Sequence, residues 1–197
     1  TLTTAYTAAK TAYDNKTVGS YKAVYNNLLQ AYIDVQGDEY AKIGIVEGTA
    51  YRLVNKAYSG RSMAVDVNDD DKDTYVDEMF GLTTDESSNA QLWYFEAGST
   101  SGTYYLKNKS TSKYPGNVYS GSVLSADKTA TSGDAAAYAY TFHDLGDGTW
   151  AFSSGNTGLH CASSQSYNIV GWGWGSDTPA SHWYITAVEE NEVANNR

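Results

Sequence analysis

Two short patterns each occur three times in this 197-residue chain, in step with one another. Tyr51-Arg52-Leu53-Val54-Asn55, Tyr104-Tyr105-Leu106-Lys107-Asn108 and Trp150-Ala151-Phe152-Ser153-Ser154 open three segments. Gln91-Leu92-Trp93-Tyr94-Phe95, Tyr138-Ala139-Tyr140-Thr141-Phe142 and Ser181-His182-Trp183-Tyr184-Ile185 close them. The openings are 53 and 46 residues apart, and the closing rings Trp93, Tyr140 and Trp183 are 47 and 43 apart. Two markers in one phase imply three copies of one structural unit with a period of about 46 residues.

Each marker alternates as a strand does. Tyr51, Leu53 and Asn55 share one face, Arg52 and Val54 the other; Trp93 pairs with Phe95, and Trp183 with Ile185. Between the markers, short apolar runs alternate with Gly, Ser, Asn and Asp clusters, the pattern of short strands and turns. A unit of this size holds about four short strands and cannot close a core alone. Three units about a pseudo-threefold axis close one barrel, with Trp93, Tyr140 and Trp183 converging near its centre. The predicted fold is therefore mainly β, a β-trefoil over residues 42–189. Propeller blades have a similar period, but three are too few for a ring.

The first 37 residues read differently. Leu2, Tyr6, Ala9 and Tyr13, then Val18, Tyr21, Tyr25, Leu28, Tyr32 and Val35, are spaced by threes and fours, which predicts a helical stripe. Asp14-Asn15-Lys16-Thr17 breaks it, Asn15 or Thr17 can cap the second helix, and Gly37 stops it. Residues 1–37 are read as an α-helical hairpin, either docked on the next domain or ending a longer bundle, and 190–197 as a polar tail. The Ala- and Tyr-rich pattern resembles the FIVAR-type modules of bacterial surface proteins; the alternative is a spacer with no ligand.

Composition narrows the function. A net charge of −10 repels polyanions, which argues against nucleic acid. No apolar run approaches the ~20 residues of a membrane span. No basic segment precedes an apolar one at the start, so any secretion signal is read as removed or lying further upstream. Cys161 is the single cysteine, which excludes an internal disulfide framework and a Cys-rich zinc site. Eighteen tyrosines and five tryptophans supply flat rings suited to ligands that are partly apolar and partly hydroxylated.

Gln91-Leu92-Trp93 is a Gln-x-Trp motif, and Tyr138-Ala139-Tyr140 and Ser181-His182-Trp183 are degenerate versions of it. With the threefold phasing, residues 42–189 resemble the ricin-type lectin trefoils. That resemblance implies one shallow sugar pocket per repeat, in which an aspartate accepts two adjacent hydroxyls, a ring stacks on the sugar and an amide completes the set. Met63-Ala64-Val65-Asp66-Val67 resembles the strand that ends in the sugar-binding aspartate, which makes Asp66 that residue. Phe80 is the first candidate for the stacking ring and Tyr75 the second. The amide position, directly before the glutamine, holds Ala90 instead, with Asn89 one residue earlier. The aspartate position falls near Tyr119 in the second repeat and near 162–164 in the third, so those pockets are expected to be lost in their usual form. The third repeat offers Tyr167 and the run Gly171-Trp172-Gly173-Trp174-Gly175 instead, with Trp174 favoured over Trp172 as an uncovered aromatic platform. The run lacks the Lys-Thr and helix of a phosphate loop.

Nine acidic residues and one base, Lys72, lie between Asp66 and Glu86. Asp66, Asn68, Asp70 and Asp77 partly match the spacing of a calcium-binding EF-hand loop, but Asp71 stands where glycine is needed and Asp77 where glutamate is usual. An irregular calcium site beside the first pocket and a solvated, self-repelling loop both stay open. Catalysis finds no constellation. His143, His160 and His182 sit in different parts of the repeat, neither Gly-x-Ser-x-Gly nor His-Glu-x-x-His occurs, and Cys161 reads as packing. The expected function is a non-catalytic carbohydrate-binding module of a larger secreted or cell-surface protein, with a glycan as partner. The rival is a trefoil spacer or protein-contact domain with decayed pockets.

Overall fold

The computed structural model describes residues 6–8, 10–11, 45–46, 48–66, 77–133 and 136–188. The chain divides into two compact units, Thr1–Ile45 and Val46–Arg197. In the first unit, residues 6–8, 10 and 11 are helical. The rest of the expected hairpin and the 190–197 tail lie outside the described residues.

The second unit is built on one sheet of ten strands: β1 Ala50–Asn55, β2 Arg61–Val65, β3 Met79–Thr83, β4 Leu92–Ala97, β5 Thr103–Asn108, β6 Tyr140–Asp144, β7 Trp150–Ser154, β8 Thr157–Ala162, β9 Asn168–Trp172 and β10 Trp183–Val188. Six of them close a ring, β1 to β4, β5, β6, β7, β10 and back to β1, each neighbour antiparallel. Closure leaves the barrel without an edge. In every repeat the opening ring faces the closing ring across the ladder: Tyr51 opposite Trp93, Tyr104 opposite Tyr140 and Trp150 opposite Trp183.

Hairpins β2–β3 and β8–β9 cap one end of the barrel. The second repeat has only bridges there, such as Tyr114 with Lys128. Pro115 explains part of this loss, since it has no N–H to give a ladder. A threefold cycle of backbone bonds ties the caps together. Gly81 N donates to Tyr167 O at 2.8 Å, Ala126 N to Asp77 O at 2.9 Å and Gly171 N to Ser122 O at 3.0 Å. Each repeat thus donates to another and accepts from the third. Around this cycle Met79, Leu124 and Ile169 occupy equivalent buried places. This is a β-trefoil, as the repeat predicts.

Trp93, Tyr140 and Trp183 are fully buried, and each spends its polar atom within its own repeat. Trp93 Nε1 donates to Met63 O at 2.9 Å, Trp183 Nε1 to Leu159 O at 3.0 Å, and the Tyr140 hydroxyl to Gly116 O. Buried rings with polar handles need such partners. Aromatic contacts in the core run through Phe95 and Phe142, two places on from Trp93 and Tyr140, and Phe152, two places on from Trp150: Phe95 with Phe142 at 5.2 Å, and Phe142 with Phe152 at 4.6 Å. Asn55 and Asn108 are buried corner posts. Their amides donate to Ala180 O and Ala90 O, both at 2.9 Å, and their carbonyls accept two backbone N–H groups from the following turn.

Candidate functional site

The three carbonyls that accept the closing rings set a common register. Met63, Gly116 and Leu159 are equivalent, so Ala64, Asn117 and His160 are equivalent one residue on. Three residues on come Asp66, Tyr119 and Ala162. This places the aspartate position of the second and third repeats where the motif places it.

In the first repeat, β2 directs Ser62, Ala64 and Asp66 to one face. Across the hairpin, Phe80 is the register partner of Ala64, and the Asp66 N–H continues the ladder to Glu78 O at 2.9 Å. Phe80 also pairs with Asn168 at the start of β9, whose amide donates to Glu78 Oε2 at 3.2 Å. Directly opposed residues point to the same side of a sheet. Asp66, Glu78, Phe80 and Asn168 therefore gather on one face, with Asp66 and Phe80 half-buried and Ser62 and Ala64 buried as its floor. The 3-10 turn Asn89–Gln91 packs on β2 beside it.

The glutamine of Gln-x-Trp braces the loop beside this face. Gln91 is buried; its Oε1 accepts from Arg52 at 2.8 Å and from Asp85 N at 2.9 Å, and its amide donates to Thr83 O at 2.8 Å. It thereby fixes the loop that walls the site. Ala90 is buried, and Asn89 beside it is exposed. Sequence reasoning missed Glu78 and Asn168. Asn168 belongs to another repeat, and only the symmetry of the cap, which makes Glu78, Val123 and Asn168 equivalent, could have found it. Tyr75, Asn68 and Asp70 lie outside the described residues. The Asp77 carboxylate pairs with Lys113 and is 11% exposed. Among the described residues no group of three or more His, Cys, Asp or Glu side chains is arranged to hold a metal ion.

The third repeat departs from expectation in two places. Trp174, not Trp172, is the covered ring. It stacks on His143 at 3.9 Å and 13°, its Nε1 donates to Gly155 O at 3.3 Å, and its Cβ lies where a side chain on Gly158 would sit. Trp172 is 53% exposed. The flanking glycines free both rings from their chain neighbours, but His143 comes from a distant strand and leaves no trace in the local pattern. Tyr167 also lies elsewhere. It meets Tyr58 edge-on at 5.2 Å and carries the Arg61 guanidinium 3.4 Å from its ring centre, a contact with the first repeat.

All three histidines converge on residues 172–181. His143 stacks on Trp174. His182 Nε2 donates to the carbonyls of Trp174 at 3.2 Å and Gly175 at 3.0 Å. His160 Nδ1 lies 2.8 Å from Ser181 Oγ, and its ring is 6.3 Å from that of Trp172. Burial lowers the His160 pKa, which keeps the ring neutral near pH 7. Cys161 is fully buried and its thiol is pushed up to about 11, so it is a poor nucleophile.

A separate open cleft of about 430 Å³ is lined by Tyr94, Phe95, Glu96, Lys107, Asn108 and Ser112. Its charges are already satisfied, because Glu96 binds Lys107 at 3.3 Å and the Tyr114 hydroxyl at 2.8 Å. No helix among the described residues is long and apolar enough to cross a membrane.

No family model and no curated protein matches the chain. Solved structures do. A designed threefold-symmetric protein, ThreeFoil, is similar at TM-score 0.56 and 17% identity, over 71% of this chain and 99% of that one. The ricin B-like lectin of Macrolepiota procera, solved with lactose, is similar at 0.53 and 15%, over 72% and 96%. An exo-β-1,3-galactanase of Clostridium thermocellum is similar at 0.55 and 25%, over 73% of this chain but only 31% of that one. The chain thus spans a whole small lectin and about a third of the larger enzyme.

Proposed function

We propose that this chain is a non-catalytic carbohydrate-binding module, one part of a larger secreted or cell-surface protein. The observation that carries this reading is the open face of the first repeat, where Asp66, Glu78, Phe80 and Asn168 are gathered. A sugar offers vicinal hydroxyls on its rim and C–H groups on its face. Asp66 accepts the hydroxyls, and Phe80 meets the apolar face. Asn168, oriented by Glu78, supplies an amide where the Ala90 position supplies none. Directional bonds of this kind must replace the water that a hydroxylated ligand gives up. The lectin and galactanase likenesses, and the aromatic surplus of the chain, support the same reading.

A shallow pocket of this kind binds weakly, in the millimolar to micromolar range of about −4 to −8 kcal/mol. Retention on a polysaccharide then comes from several pockets or several modules acting together. NMR titration with galactose, glucose, mannose, N-acetylglucosamine and lactose, with and without calcium, tests the reading. Binding by the wild type that Asp66→Ala weakens supports it. Absence of binding to every sugar at millimolar concentration sinks it and favours a spacer or protein-contact domain.

A further inference from the structure

The third repeat lacks the aspartate, since Ala162 stands at its position, yet its face is not apolar. His160 lies two residues earlier on the same face of β8, where the first repeat has Ala64. Its protonation pattern follows from its neighbours. Ser181 has one hydroxyl proton and donates it to Gly173 O at 2.6 Å. The 2.8 Å contact between His160 Nδ1 and Ser181 Oγ must then run from an Nδ1–H to the serine oxygen. In the neutral ring Nε2 is left with a bare lone pair, and it makes no hydrogen bond among the described residues. Across the hairpin, Trp172 is the register partner of Gly158, the next residue on the His160 face, and it leaves its ring 53% exposed.

We propose that His160 and Trp172 form a second sugar subsite, in which Nε2 accepts a hydroxyl proton and Trp172 covers the apolar face of an uncharged sugar ring. The inference rests on the reading of the chain as a carbohydrate-binding module and adds a residue and a chemistry to it. The acceptor is a neutral imidazole that has moved two residues along the strand, in place of a carboxylate. The second repeat also carries a polar residue at this position. Asn117 is the equivalent of His160, its buried Oδ1 has no hydrogen-bond partner among the described residues, and Tyr119 beside it is 65% exposed. In the one repeat that keeps its aspartate, this position is alanine.

The groups against the His160 ring are neutral: Ser181 from the 3-10 turn, and Trp172 and Val170 from β9. Burial is the sole cause of its lowered pKa. Protonation turns the acceptor into a donor, so binding at this subsite falls as pH drops below the ordinary histidine value of 6.5.

The test uses Asp66→Ala as the background, so that the first pocket is silenced, with galactose, glucose, mannose, N-acetylglucosamine and lactose as probes. A residual saturable site is expected. It weakens by about tenfold with His160→Phe, which removes the acceptor. It weakens similarly with Trp172→Ala, a surface change that spares the core, and is partly retained with His160→Gln, which restores an acceptor. Nitrogen-15 shifts of the His160 ring should report Nδ1–H and a bare Nε2. If Asp66→Ala abolishes all binding, or if the residual site ignores both His160→Phe and Trp172→Ala, this inference falls while the module reading stands. If the wild type binds no sugar, the module reading falls first.

Discussion

The first and third repeats share a backbone plan but hold their pocket loops by different chemistry. In the first, one long amide reaches up from the barrel: Gln91 bonds Arg52, Asp85 N and Thr83 O, and the loop hangs from it. In the third, Ser181 replaces that glutamine and reaches only Gly173 O and His160. The missing reach is supplied by His182, which donates to two loop carbonyls, and by His143, which stacks beneath Trp174. A degenerate motif therefore need not mean a degenerate loop. The glutamine is a device for satisfying buried backbone groups, and other side chains from the same barrel can take over that duty.

The comparison breaks first at the core, where the two repeats should behave alike. Trp93→Ala and Trp183→Ala each remove a fully buried ring with a satisfied N–H. Each should lower unfolding free energy by about 3–5 kcal/mol in urea titration. A large effect at one and little at the other would show that the closing rings are not equivalent.

The cap glycines sharpen it. A Cβ on Gly171 would sit 2.0 Å from the backbone oxygen of Tyr119, whereas one on Gly81 would meet the Cys161 side-chain sulfur at 2.5 Å. A sulfur can turn aside and a carbonyl cannot. Both Gly→Ala changes overpack, by about 1–3 kcal/mol, with Gly171→Ala the costlier; thermal melts of the two variants rank them. Equal losses would contradict the tighter contact of the third cap.

The loop anchors come next. Gln91→Ala removes one of three acceptors from Arg52 and leaves Asp85 N and Thr83 O without their side-chain partner; it should cost about 1–3 kcal/mol, while Ser181→Ala, with fewer bonds, should cost about 1 kcal/mol. Hydrogen exchange should then rise in residues 83–91 for the first variant and near 173–181 for the second. The smallest effect is a pH dependence. Because burial lowers the folded-state pKa of His160, the unfolded chain binds the proton more readily below the ordinary value of 6.5. Stability should decline as pH falls through that window and should hold steadier in His160→Gln. The first pocket contributes no such term from a histidine, since its equivalent residue is Ala64.

The threefold plan was legible because strand alternation and repeat phase are local properties: Trp93, Tyr140 and Trp183 declare themselves by spacing. That Asp66 and Phe80 share a face was legible for the same reason, since they lie on one hairpin. The place of Asn168 was not, because it reaches that face from another repeat through the cap. The preference for Trp174 over Trp172 inverted for a similar reason. Glycine neighbours expose a ring to its own chain segment, but whether a distant side chain covers it depends on tertiary packing, and here His143 does. His160 hid behind its strand position, since its role depends on where Ser181 sends a single proton.

Chemical-shift mapping of the wild type during titration with the sugar that binds best locates the binding face. The Asn168 side-chain amide and the backbone near Asp66 and Phe80 should move together and saturate. Shifts confined to the Glu96–Lys107–Tyr114 cleft, with the Asn168 amide unmoved, would contradict that expectation.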